Sequence, residues 1–204
     1  MITIVDYGMG NLGSIRNMLK WLGFQSIISS DPDEIKRAQK LILPGVGAFD
    51  QGMKNLAEKQ LISVLNWCVT REKIPLLGIC LGMQLLTKHS EEGKLPGLGW
   101  INAHTIRFNF VNDKSLKIPH MGWNEAIIKN NSPLLEGVNK TSRYYFVHSY
   151  HVICNDKEDE ILSTNYGIKF AAAVQKDNIF GVQFHPEKSH KFGMKILDNF
   201  SKRC

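Results

Sequence analysis

Pro75-Leu76-Leu77-Gly78-Ile79 is a short, wholly apolar run, and Leu81 to Lys88 directly after it has helical composition. A strand that lacks polar alternation has both faces buried. When such a strand feeds straight into a helix, the pair belongs to a parallel sheet covered by helices on both sides. The preceding residues repeat the unit. Ile2 to Asp6 is β-rich and ends at the turn formers Gly8, Gly10 and Asn11, and Ile15, Met18, Leu19 and Leu22 then recur at helical spacing until Gly23. Gln25 to Ser29 predicts a second strand and Lys40 to Leu43 a third, stopped by Pro44-Gly45-Val46-Gly47. Met53, Leu56, Ala57, Leu61, Val64, Leu65 and Cys68 predict one long helix with an apolar face, on which Cys68 is a core thiol.

The second half changes character. Strands are expected near residues 101–108, 115–129, 143–154, 160–166, 168–175 and 178–184, several of them antiparallel, with a closing helix from Phe192 to Phe200. No linker composition, low-complexity stretch or repeat interrupts the 204 residues. The expectation is a single α/β domain over residues 1–204: an open, mostly parallel sheet with helices on both faces, and antiparallel strands in the second half.

Composition narrows the function classes. No apolar run reaches the roughly 18 residues of a membrane span, and the Met-Ile-Thr-Ile-Val start lacks the basic region of a leader, so a cytoplasmic protein without membrane contact is expected. The formal net charge of +6 comes from scattered basic residues. Scattered charge suits a solvated surface or an acidic partner and argues against nucleic acid. Cys68, Cys80, Cys154 and Cys204 show no CxxC spacing, so no metal site and no disulfide framework is expected.

One cysteine stands in an informative setting. Gly78-Ile79-Cys80-Leu81-Gly82 is the cysteine form of the G-x-S-x-G nucleophile elbow. Its flanking glycines allow a sharp, strained turn, and the N-terminus of the following helix favours an anion at the sulfur. A merely structural turn would have the same letters. A cysteine nucleophile needs a base and a group to orient that base. Of the seven histidines, His185 follows the β-rich run Ile179-Phe180-Gly181-Val182-Gln183-Phe184 and precedes Pro186-Glu187. Proline keeps that segment extended, so Glu187 is placed to accept the second ring N–H of His185. Attack on an amide also needs N–H donors for the developing oxyanion. Leu81 at the helix start and the Gly45-Val46-Gly47 loop are the candidates.

Taken together, Gly-Ile-Cys-Leu-Gly-Met-Gln around Cys80 and Gly-Val-Gln-Phe-His-Pro-Glu around His185 and Glu187 resemble the class I (triad) glutamine amidotransferases. Within them, Asp6-Tyr7-Gly8-Met9-Gly10-Asn11, Pro119-His120-Met121-Gly122-Trp123-Asn124 and Tyr145-Phe146-Val147-His148-Ser149-Tyr150 are similar to the glutaminase subunits of imidazole glycerol phosphate synthases. The resemblance implies hydrolysis of L-glutamine through a thioester, with Cys80, His185 and Glu187 as the triad and no cofactor. The released ammonia goes to a cyclase subunit, a (β/α)8 barrel, in a heterodimer of histidine biosynthesis. It also implies that Gln84, Glu92, His148, Ser149 and Tyr150 bind glutamine, and that Asn11, Trp123, Tyr145 and Lys188 lie at the partner interface. Ser149 stands where threonine is usual. A paralogous branch supplies ammonia to a sugar-amidating synthase of surface-polysaccharide biosynthesis, which is the alternative acceptor.

Overall fold

The structure, a computed structural model, describes residues 1–110 and 115–204. Its first strands are β1 (Ile2–Val5), β2 (Ser26–Ser29), β3 (Lys40–Gly45) and β4 (Leu76–Cys80), all parallel in the order β2-β1-β3-β4. Four of the later strands extend this sheet. β12 (Ile179–Val182) lies parallel beside β4, and β11 (Ile168–Lys176), β10 (Glu160–Tyr166) and β7 (Ile127–Ile128) continue it antiparallel. Two antiparallel pairs stand outside the sheet: β5 (Ala103–Arg107) with β9 (Tyr150–Cys154), and β6 (His120–Glu125) with β8 (Arg143–His148).

The burial of β1 and β4 at every residue reflects helices on both faces. On one face α1 (Leu12–Trp21) and α6 (His190–Arg203) contribute Ile15, Leu19, Ile196, Leu197 and Phe200 to one core cluster. On the other, α2 (Pro32–Lys36), α3 (Phe49–Glu58), α4 (Leu61–Asn66) and α5 (Leu81–Leu85) contribute Ile35, Leu56, Leu65 and Leu85 to a second. The expected fold class is the one observed.

Four local expectations are corrected. β3 runs two residues past Leu43, pairing Pro44 with Ile79 and Gly45 with Cys80. Its ladder to β1 ends at Ile42, so the missing proline N–H falls where one side of the strand is already unpaired. The long helix is two helices, broken where Gln60 takes a left-handed conformation (φ 58°), with a π-helical turn at Trp67–Arg71 after α4. α2 was not expected from periodicity, yet Asp31 caps it by accepting the Asp33 and Glu34 N–H groups, and Pro32 opens it. The helix after Cys80 stops at Leu85, three residues short of Lys88.

Candidate active site

Four loops or strand ends converge at the C-terminal edge of the parallel strands, where open α/β sheets place their sites. Cys80 closes β4 and opens α5 with φ 54° and ψ −110°. Such an angle costs about 1–3 kcal/mol in a non-glycine residue and persists only where the surroundings impose it. The surroundings here are the glycines. A Cβ on Gly82 would fall on the Leu43 carbonyl oxygen, and one on Gly78 would lie 2.8 Å from the backbone of Gly82 and Met83. The strain therefore sits in Cys80 itself. The flanking glycines give closeness between β3, β4 and α5 rather than conformational freedom.

His185 follows β12 and is fixed from three directions. Its backbone N–H donates to the Tyr145 carbonyl (2.9 Å), its carbonyl accepts from the Ser189 hydroxyl (2.6 Å), and Nδ1 meets Glu187 Oε1 at 2.8 Å. Both side chains of the His185–Glu187 pair are only 2% exposed. Nε2 is buried without a hydrogen bond of good geometry, and Cys80 is the group that acts on this ring from the other side. Burial disfavours the charged ring, but Cys80 and Glu187 outweigh it and push the His185 pKa up to about 10. At neutral pH the ring is an imidazolium between a sulfur and a carboxylate.

This has a sign that can be measured. A pKa raised above its unfolded value contributes stability that is complete below about pH 6.5 and drains away as pH rises toward about 10. Glu187→Gln removes one cause of the rise. The thermal midpoint of the wild type should therefore exceed that of E187Q most at pH 6, and the gap should shrink steadily to pH 10. A gap that is flat or grows over this range would contradict the imidazolium assignment.

Between the nucleophile and β9 lies a cavity of about 260 Å³ lined by Val46, Gly47, Cys80, Leu81, Gln84, Glu92, Pro119, Val147, His148, Ser149, Tyr150 and His185. All five residues expected to hold glutamine are at its wall. Glu92 is partly buried at this wall. Its Oε2 accepts the Phe49 N–H (2.9 Å) at the start of α3, which has no side-chain cap of its own. Burial pushes its pKa up, opposed by that N–H and assisted by Asp50. A half-buried carboxylate facing a cavity is a counter-charge for an ammonium group.

Gln84 is tied down rather than free. Its Nε2 donates to the Tyr150 carbonyl and to Gln183 Oε1, both at 3.1 Å. Gln183, fully buried, turns its own Nε2 to the Cys80 sulfur at 3.7 Å. Gln183 had no assigned role in the sequence reading. Its signal was its position two residues before His185, at the end of a strand whose next inward side chain must face the nucleophile. Tyr7 was also missed. Its hydroxyl is buried without a partner beside Gly45, and burial and Cys80 both raise its pKa.

The proposed oxyanion donors are placed unequally. Leu81 N–H opens α5 beside the sulfur, and Gly45 lies in the ladder opposite Cys80. Val46 and Gly47 are exposed, and Gly47 has a φ of 123° that a side chain would not tolerate, with the Met9 methyl packed against its Cα. The loop after β1 thus backs the loop after β3. Among the described residues no three His, Cys, Asp or Glu side chains are gathered to hold a metal ion, and no helix is long and apolar enough to cross a membrane.

Residues 3–204 match the sequence family glutamine amidotransferase class-I. The chain belongs to that family. It is 59% identical to imidazole glycerol phosphate synthase subunit HisH 2 of Methanococcus maripaludis, with 100% of both chains covered. It is 52% identical to the subunit of the same name from Pseudomonas aeruginosa, with 98% of both covered. Among solved structures, that of PurLQS from Thermotoga maritima superposes with a TM-score of 0.75 over 98% of this chain and 96% of that one, at 19% identity, a likeness of fold alone.

Around the amidotransferase cavity, three of the four residues expected at a partner interface are gathered on one surface. Trp123 stands opposite Tyr145 across β6 and β8, with ring centroids 6.1 Å apart, and Lys188 Nζ lies 5.8 Å from the Tyr145 ring centroid. Trp123 is 43% exposed. Asn11 is exposed and accepts the Ser14 N–H as the cap of α1, a local structural task.

Proposed function

We propose that this chain is the glutaminase subunit of an imidazole glycerol phosphate synthase, hydrolysing glutamine in the cytoplasm and passing ammonia to a cyclase subunit of (β/α)8 type for histidine biosynthesis. The observation that carries the reading is full-length identity of 59% with a subunit of that synthase. The geometry is consistent with the chemistry. The Cys80 sulfur attacks the side-chain amide carbon, and the N–H of Leu81 with those of the Gly45–Gly47 loop receives the oxyanion. His185 then gives its Nε2 proton to the departing nitrogen, so the C–N bond breaks as ammonia leaves a thioester. The ring, now neutral and held by Glu187, takes a proton from water as it attacks the thioester, giving glutamate, freeing the Cys80 sulfur and restoring the imidazolium. Glu92 faces the α-ammonium of glutamine, and the 148–150 backbone faces its amino-acid end. Trp123, Tyr145 and Lys188 meet the cyclase.

A second reading has a specific observation in its favour. The relatives at 59% and 52% identity both carry the number 2 in their names, and a numbered name distinguishes a subunit from another of the same name. A second copy is free to serve a different synthase, such as a sugar-amidating enzyme of surface-polysaccharide biosynthesis. One assay separates the two. Glutamate release is measured for the chain alone, and again with a histidine-pathway cyclase holding its nucleotide substrate. Stimulation of a hundredfold or more, about 3 kcal/mol of coupling, is the expected result. No stimulation, with Cys80 still trapped by a glutamine-like diazo ketone, would move the chain to the second synthase.

A further inference from the structure

We propose that His120 and Asn124 are positioning residues, the outer end of a continuous hydrogen-bond chain that aims the glutamine-binding backbone and reaches the Cys80 sulfur; the assignment rests on the glutaminase reading of the cavity. The chain can be followed proton by proton. The Tyr150 carbonyl can only accept, so His148 Nδ1, 2.8 Å away, carries the hydrogen. Burial holds the His148 pKa down to about 3, so the ring is neutral and its Nε2 is a bare acceptor. His120 Nδ1 lies 3.2 Å from that acceptor and must therefore donate. His120 is neutral for the same reason, with a pKa pushed down to about 4, which leaves its own Nε2 to accept from Asn124 Nδ2 at 3.3 Å.

The outer end is locked. Asn124 Nδ2 also donates to the Asn165 carbonyl (2.9 Å), and its Oδ1 accepts the Glu125 N–H (2.9 Å), so the amide has one allowed orientation. The inner end continues past Tyr150. That same carbonyl accepts from Gln84, whose second hydrogen goes to Gln183 Oε1, which leaves the Gln183 NH2 to face the sulfur. Each donor direction is dictated by its neighbour.

His120 and His148 are a directly opposed cross-strand pair, and they are 3% and 6% exposed. Packing does not require histidine there, since the His120 ring stacks on Tyr166 and Phe146 as a phenylalanine would. Two buried imidazoles stand among aromatic rings, and the pair ends on backbone that lines the cavity. Alternation along β6 explains why this matters. His120 and Asn124 point inward while Met121 and Trp123 point out, so one short strand carries both the exposed face and the chain to the site.

Two measurements test this on the intact protein. Long-range nitrogen–proton NMR at pH 7 should show both His120 and His148 as the Nδ1–H tautomer; the Nε2–H form in either ring would overturn the chain. Alkylation of Cys80 supplies the second. His120→Phe keeps the ring stacking but removes the donor, and should raise the half-saturating concentration of a glutamine-like diazo ketone about five- to tenfold, with the limiting rate changed less than about threefold. Iodoacetamide, which needs no glutamine pocket, should label H120F and wild type at rates within about twofold. His120→Asn places an amide N–H where Nδ1 was and should restore diazo ketone binding. Unchanged binding in H120F, or no recovery in H120N, would refute the positioning role. A wild type labelled by iodoacetamide but never by the diazo ketone would instead overturn the glutaminase reading, while the NMR tautomers still decide the chain.

Discussion

Cys80→Ala should abolish glutamine hydrolysis while leaving the partner's synthesis from added ammonium salt at its wild-type rate. Among the described residues of the cavity wall the sulfur is the only atom able to form the thioester, and loss of a nucleophile of this kind costs about a millionfold in rate. Any residual glutamate release should therefore fall below an ordinary assay floor. The fold should survive, because alanine keeps the Cβ and occupies the φ of 54° no less easily than cysteine. What disappears is the interaction with the His185 ring, the weak Gln183 contact at 3.7 Å and a 4.0 Å approach to the Val147 carbonyl. The check is a paired assay of C80A with the cyclase, with glutamine in one arm and ammonium in the other. Retained glutamine-dependent activity would remove Cys80 from the mechanism. Loss of the ammonium-dependent rate would show that the variant fails to support the partner, and that ammonia transfer is not what was lost.

Which features could be read from the sequence follows from the range of the interactions behind them. The elbow at Cys80 and the His185–Glu187 pair are local, set by two glycines and one proline, and their geometry is written in consecutive residues. The parallel half of the sheet is equally legible, because burial on both faces leaves strands such as Leu76–Cys80 wholly apolar. Features that need register are not legible. His120 and His148 are 28 residues apart, and only the antiparallel pairing of β6 with β8 makes them neighbours. Gln183 and Gln84 meet across 99 residues for the same kind of reason. Glu92 is of the same kind: the resemblance names it, but only tertiary structure brings the uncapped N-terminus of α3 onto its carboxylate.

The elbow's tightness makes a prediction about the fold itself. Gly82 is the first turn of α5, and its Cα faces the β3 backbone so closely that an added methyl group would overlap the Leu43 carbonyl oxygen and lie 2.9 Å from its carbon. A flexible side chain could yield, but a central strand of the sheet cannot without breaking pairs such as Gly45 with Cys80. Overpacking costs about 1–3 kcal/mol where side chains absorb it and more where backbone must move. Gly82→Ala is therefore expected to destabilise by about 3 kcal/mol or more, lowering the thermal midpoint by about 6–12 °C in a chain of this size. Gly13 supplies the comparison, since an added Cβ there meets nothing within 4 Å and it sits inside α1. Gly13→Ala should be neutral or stabilising by up to about 1 kcal/mol, through helix propensity alone. Thermal unfolding of both variants beside the wild type measures the contrast. A midpoint for G82A within about 2 °C of wild type, under 1 kcal/mol, would mean that β3 and α5 separate easily. The strained Cys80 conformation would then need another cause than the closeness of these two elements.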